Sequence, residues 1–578
     1  MLTRTRTRTL AALLTSASLT LLAGIAAAQG VYDDVLQFDG GAYTTLTVSV
    51  DGVETAVRRY EVVYTGNPVE VDQTQRFGGE PTPLDDQLAT QKMIIYVPET
   101  AVGNDDAAVI MQVSNGGWFV SPVQERVTDG ASYSSASDTD AIGKALSEGY
   151  VIASVGTRSR GAIASDGSYV GKAPAPVVDA KAAIRYLKLN DAVIPGSADR
   201  IVITGTSGGG GLSAAVAASG NSAEFNALLA EIGAAGIDAQ GNSTLSDDVF
   251  ATIAYVPITD LGNADLVYEW QYNGVRTADN TAGGAYSDAA QAVSAELASR
   301  YPAYLESLGI TLPDGTPLTA ETMDDAIVTE IKRETRKYIE NGGAIPALGE
   351  SFSLTIRGNQ VEVQNDWLSV ENDEIAVDYD KFLSFVAGTT ALKAIPAFDA
   401  TATTGRTGVN GENTLFGTAD QFYANFTEYG WNNNEVLGDG TGLDDTGLIW
   451  AEYIALGGSI IGDQLRLIDP FVFIGTDADT APFWYVRHGM IDRDTAFAVN
   501  LSLYHALLND ASVQDVNFEL ALLTGHTGNY DVQEAYSWLA SSLASVDIAP
   551  VPVPAGLPLM LGGLGILGLL KRRKQRRI

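Results

Sequence analysis

The stretch from Ile201 to Ser219, IVITGTSGGGGLSAAVAAS, limits the fold more than any other part of the chain. A β-branched run ends in a serine, four glycines follow, and an alanine-rich segment of helical composition comes next. Such a junction suits either a phosphate cradle or a sharp turn that presents a side chain. The phosphate readings are weak. A nucleoside-triphosphate loop needs Lys and then Ser or Thr after its last glycine, and no lysine follows here. A dinucleotide fingerprint lacks its final glycine, and no suitable acidic residue ends a next strand. Gly205-Thr206-Ser207-Gly208-Gly209 is instead G-x-S-x-G between a predicted strand and a predicted helix, the context of a nucleophile elbow. The glycines relieve crowding in the turn, and the helix N-terminus behind Ser207 favours developing negative charge.

The chain around this turn alternates. AAVIMQVS (107–114), YVIASVG (150–156) and RIVITG (200–205) are short continuous apolar runs, as in parallel strands buried on both faces. Val177, Ala180, Ile184 and Leu187 recur at helical spacing between the last two, with Pro176 suited to the helix start. FATIAYVPITD, FWYVRHG and NFELALLTG supply further strands, and VQEAYSWLASSLA a closing amphipathic helix. Residues 30–92 read as strand- and turn-rich. The pattern predicts an α/β protein with a mostly parallel sheet. The long segment between FATIAYVPITD and FWYVRHG has no internal repeat and reads as a largely helical and loop-like lid.

A serine hydroxyl needs a base, and in an α/β-hydrolase the chain order is Ser, then Asp or Glu, then His. The chain has 3 His. His488 ends a strand ahead of the acid, and His505 sits in a helical pattern. His526 follows the last strand, where this fold carries its base. Asp492 is the predicted acid and Asp494 its rival, both in the loop after FWYVRHG. The amide of Gly208 is one predicted oxyanion donor. Gly116 and Gly117 of SNGGWF offer the second.

With 0 Cys, disulfides, thiolate catalysis and zinc–cysteine sites are excluded. Three histidines make a multi-histidine metal site a poor expectation, no loop has the spacing of a defined calcium motif, and neither metal nor cofactor is expected. The net charge of −36 repels nucleic acid and anionic lipid. Nine of the 35 Lys and Arg lie in the two end segments, so the body is still more acidic than the total. Residues 1–28 have the basic, apolar and small-residue parts of a secretory signal peptide. At the other end, Val553 to Leu570 is apolar and precedes a Lys/Arg cluster, at the lower length limit for a membrane helix. That end resembles the VPLPA variant of the C-terminal sorting signals processed by exosortase-type membrane enzymes of Gram-negative bacteria. It implies delivery to the cell surface or medium, or else a periplasmic protein anchored in the inner membrane, with membrane contact only through this segment. The predicted organisation is 1–28 signal peptide, 29–261 and 471–548 the two parts of the hydrolase core, 262–470 lid, and 549–578 sorting signal or anchor.

The segments VVDAKAAIRYLKLNDAVIPG, AYVPITDLGNADLVYEW, LKAIPAFD, ENTLFG and RHGMIDRDT together resemble the bacterial (subtype B) tannases, over roughly Met93 to Leu543. The resemblance implies an α/β-hydrolase serine esterase with a large lid. It carries the triad onto Ser207, Asp492 and His526. It also implies that Lys393 and Glu412 of the lid, with Asp494, hold the phenolic hydroxyls of a galloyl ester. The stretch between Lys393 and Glu412 is longer than that pattern leads one to expect. Feruloyl or general esters are the alternative substrates, and a non-catalytic surface protein on the same fold is the alternative function.

Overall fold

The computed structural model describes residues 29–546 apart from 77–78, 283–285, 357–358, 402–410 and 435–439. The predicted signal peptide and the apolar C-terminal segment lie outside the described residues. Among the described residues no helix is long and apolar enough to cross a membrane. The chain forms two units, residues 1–535 and 536–578. The elements that position the site belong to the first.

Nine strands of five or more residues make the main sheet: β1 (Thr44–Val50), β2 (Val53–Val63), β3 (Lys92–Pro98), β4 (Val109–Val113), β5 (Val151–Val155), β6 (Ile201–Thr206), β7 (Ala251–Tyr255), β8 (Phe483–Gly489) and β9 (Asp515–Ala521). Their order is β9-β8-β7-β6-β4-β5-β3-β2-β1, with the short strand Ser132–Tyr133 beyond β1. Strands β4 to β9 run parallel, and β1, β2 and β3 add antiparallel pairs at one end. The continuous apolar runs behave as predicted: every residue of β5, β7 and β8 is buried. Strand β1 buries only part of its length because one side faces solvent. The turn from β1 to β2 is Asp51-Gly52, both with positive φ, as a tight hairpin requires.

Two helices set the sheet's back wall: α1 (Ala175–Leu189), with Pro176 in its first turn, and α2 (Gly208–Ala218) behind the elbow. All of α2 is buried, and its Gly and Ala side allows the close approach. The segment between β7 and β8 holds α3 (Ala264–Tyr272), α4 (Asp288–Ser307), α5 (Ala320–Glu340) and α6 (Tyr379–Thr389). It is less purely helical than its composition suggests. Two antiparallel hairpins, Ser351–Ile356 with Asn359–Gln364 and Leu368–Glu371 with Glu374–Val377, interrupt it. The second turns on Asn372-Asp373, both at positive φ. Trp367 between the hairpins is buried against Phe352, Phe382 and Phe385, and Phe382 meets Phe497 of α7 (Phe497–Asn509). The insertion thus shares one hydrophobic core with the sheet layer. The last helix is α8 (Val532–Ser545).

Candidate active site

Parallel strands carry their sites at the C-terminal ends, where neighbouring connections diverge. Ser207, Asp492 and His526 follow β6, β8 and β9 there. Ser207 has φ 62° and ψ −123°, a conformation L-residues seldom adopt. Its amide donates to the Tyr255 carbonyl at 2.9 Å, and its carbonyl accepts from Gly211 at 2.9 Å and Ile258 at 3.2 Å. The glycine run is a packing requirement. A Cβ on Gly208 would fall well inside 3.0 Å of the Trp118 amide and the Asn115 carbonyl. One on Gly205 would strike Gly209, one on Gly210 the Tyr255 carbonyl, and one on Gly211 the Ile258 carbonyl.

His526 Nε2 and Ser207 Oγ are 2.8 Å apart, and His526 Nδ1 donates to Asp492 Oδ2 at 2.7 Å. Asp494 Oδ2 is farther, 3.8 Å from Nδ1. Asp492 is buried and also accepts from the Asp494 amide at 2.8 Å. Burial works against its charge, but the facing His526 outweighs it and holds the carboxyl below the usual range. Burial likewise opposes charge on His526, while Asp492 and then Asp494 pull it up, leaving its pKa above the ordinary value. The other histidines are enclosed. His488 meets Asn500 at 2.6 Å, and burial pulls it and His505 down to about 4, so both are neutral.

The loop after β4 packs on the elbow. Asn115, fully buried, ties it down through bonds to the Phe119 carbonyl and from the Thr157 hydroxyl, each 2.9 Å. Of the two glycines there, the Gly116 amide is already spent on the Ser114 carbonyl at 2.9 Å. That removes Gly116 as an oxyanion donor. Gly117, at φ 60°, has an amide with no acceptor among the described hydrogen bonds, as does Gly208.

Lys393 and Glu412 come together from the insertion, with Nζ 3.7 Å from Oε1 and the ammonium 3.6 Å from the centre of the Phe398 ring. Helix α3 places them. Asp265 accepts from the amides of Phe398 and Asp399. Tyr268 accepts from the Lys393 amide at 3.0 Å and donates to the Arg493 carbonyl at 2.7 Å, joining the lid arm to the acid loop. Glu269 pairs with Arg276, which holds the Lys393 carbonyl. Asp399 in turn gathers Asn413, Asn425, Phe426 and Thr427, fixing the turn that carries Glu412. These acids and Tyr268 lie in segments that the sequence marks, yet no residue-level signal singled them out. Asp531 was also missed. It anchors the His526 loop to Tyr255, Tyr485 and Arg487 at 2.6 to 2.7 Å. Its one visible sign is the NYD that follows His526.

A cavity of about 300 Å³ opens beside His526, lined also by Asp494, Thr390 and the hairpin residues Thr355 and Ile356. Two clusters of described residues bring three ligand-type atoms within 4.8 Å of one another: Asp492, Asp494 and His526, and Glu519, Asp531 and Glu534. In the first, His526 Nδ1 is committed to Asp492. The second already faces Arg487 and Lys337. The arrangement around Ser207 is a hydroxyl, an imidazole that can take its proton and a buried carboxylate that orients the imidazole, a set that can make the hydroxyl nucleophilic.

The family model described as BD-FAE matches residues 93–299. Nothing among curated proteins matches the chain. Among solved structures, a tannase from Fusobacterium nucleatum is similar at 27% identity and TM-score 0.68, over 88% of this chain and 99% of that one. The tannin acyl hydrolase of Lactobacillus plantarum is similar at 28% identity and TM-score 0.66, over 88% and 99%. A tannin acyl hydrolase in complex with ethyl gallate gives the same figures, 28%, 0.66, 88% and 99%. Sheet order, helix placement and these likenesses agree: the chain has the α/β-hydrolase fold.

Proposed function

We propose that this chain is a carboxylic-ester hydrolase that uses Ser207 as nucleophile and takes galloyl-type phenolic esters. The observation that carries the reading is the unbroken chain from Ser207 Oγ through His526 to Asp492. Ser207 Oγ attacks the ester carbonyl carbon while its proton passes to His526 Nε2. Asp492 holds the Nδ1–H tautomer and stabilises the imidazolium. The amides of Gly208 and Gly117 take the oxyanion. The C–O bond to the alcohol breaks, and the leaving oxygen receives the proton from His526. Water then adds to the acyl carbon of the Ser207 ester and gives a proton to His526. The acid departs as Ser207 regains that proton.

Two further observations support the substrate class. Lys393, Glu412 and Asp494 are polar groups held in place around the site, and such groups select hydroxyl-bearing rings by rejecting analogues that leave them unpaired. Solved relatives of similar fold are named for tannin acyl hydrolysis, one of them holding ethyl gallate. In this reading 262–470 acts as the lid. Residues 1–28 direct export and 549–578 direct surface delivery through an exosortase-type enzyme or inner-membrane anchoring.

The test compares methyl gallate, methyl ferulate and a short-chain nitrophenyl ester on purified protein, beside Ser207→Ala. Gallate preferred, with loss in the variant, supports the reading. Turnover of the nitrophenyl ester alone keeps the nucleophile and removes the galloyl assignment. No turnover of any ester points to a substrate outside these classes or to the non-catalytic surface protein.

A further inference from the structure

Among the described residues five arginines are buried, and four of them have carboxylate partners. Arg158 faces Asp179, Arg185 faces Asp247, Arg276 faces Glu269 and Arg487 faces Asp531. Arg160 is the exception. It is 2% exposed, and among the described residues its Nε and Nη1 have no hydrogen-bond partner. A buried charge left in this state is costly, and native structures seldom leave one without a reason.

Its surroundings suggest that reason. The guanidinium lies flat over the Phe119 ring, 3.9 Å from the centre. Its Nη2 is 3.1 Å from where a Cβ on Gly117 would stand, so it borders the proposed oxyanion loop. Its Nη1 lies against Gly411, and a Cβ there would displace it. Arg160 therefore sits between the oxyanion loop and the residue before Glu412. The exposed Arg76 stands over the same Phe119 ring at 5.3 Å, a second cation beside it. Glu412 is the carboxylate whose field Arg160 feels, and it faces Lys393.

We propose that Arg160 is an anion subsite that receives a carboxylate carried by the leaving half of the ester. This rests on the esterase reading given above. A galloyl-type acyl half carries hydroxyls and no acid, so the carboxylate belongs to the alcohol or phenol that departs. The planar guanidinium fork matches a carboxylate in two parallel hydrogen bonds. The acidity of the body and the nearness of Glu412 disfavour a phosphate dianion relative to a monocarboxylate. The substrates selected are galloyl-type esters of hydroxy acids.

The test uses Ser207→Ala protein, so that binding is read without turnover. Calorimetry compares a galloyl ester of a hydroxybenzoic acid with the same compound carrying its carboxyl as a methyl ester. The free acid is expected to bind roughly 10-fold tighter or more, the yield of a charge-assisted pair. Arg160→Met is expected to bring the ratio near one, and Arg160→Lys to keep part of it. Equal binding of acid and methyl ester by the parent overturns the proposal. So does a preference that survives Arg160→Met, or a loss that weakens both ligands alike. If Arg160→Met does not fold, the parent ratio and Arg160→Lys decide. With Ser207 restored, acid-selective binding without hydrolysis sinks the esterase reading alone, and hydrolysis without acid preference sinks the subsite alone.

Discussion

Gly208→Ala adds one methyl group to the first turn of α2, directly behind Ser207. The new carbon would stand well inside 3.0 Å of two backbone atoms, the Trp118 nitrogen and the Asn115 oxygen. Neither is the end of a flexible side chain, so the strand–helix junction or the Asn115–Trp118 loop must move. Overpacking of this kind costs about 1–3 kcal/mol. It exceeds the gain of ~1 kcal/mol that alanine brings to an open helical position. The same displacement pulls apart the two amides proposed to take the oxyanion, and loss of one such donor lowers kcat by ~10²- to 10³-fold. The assay is a thermal melt beside kcat on the best ester, with Gly388→Ala as control. Gly388 is exposed in α6, with nothing within 4 Å of a Cβ, so that change should stabilise by ~0.5–1 kcal/mol. A Gly208→Ala protein that melts no lower than its parent and turns over at the parental rate would refute the reasoning.

Asp492→Asn keeps the shape but lets His526 adopt the wrong tautomer, and a loss of ~10⁴-fold in kcat, about 5.4 kcal/mol, is expected with little change in fold. His526 must be neutral to accept the Ser207 proton, and its pKa is raised above 6.5. Activity should therefore fall on the acid side of the pH–rate profile with a midpoint above 6.5, and a midpoint below that contradicts the assignment. The stabilisation that charged His526 lends the fold runs the other way, full below pH 6.5 and lost as pH rises through the raised value. Asp399→Ala unties Asn413, Asn425 and Thr427, so KM for methyl gallate should rise at least as much as kcat falls. An unchanged KM would mean that this hub does not place Glu412.

How far these features could be read in the sequence depended on the range of the interactions behind them. The strands β4 to β8 stood out because burial on both faces leaves a local mark, a continuous apolar run. The elbow stood out because four glycines in a row need a steric cause, and each proves to face a backbone or helix atom. The order Ser207, Asp492, His526 follows from sheet topology, which chain order encodes. The hairpins of residues 351–377 went unread: the strand Asn359–Gln364 carries only two apolar residues and buries none of its residues fully, and the buried Trp367 that seats them finds its partners through tertiary packing. The choice between Gly116 and Gly117 turns on one φ angle and one amide bond, below the reach of a motif. Arg160, Asp399 and Asp531 were silent for a related reason. Tyr255 and Asp531 are 276 residues apart, and only the folded chain joins them.

The central claim is that Ser207 forms the acyl-enzyme. It is tested most directly by intact-protein mass measurement after treatment with a fluorophosphonate, with the labelled peptide sequenced and Ser207→Ala alongside. The account predicts one adduct per chain, on Ser207, gained in step with loss of ester hydrolysis and absent from the variant. Hydrolysis that persists in Ser207→Ala, or labelling at another residue, would contradict it.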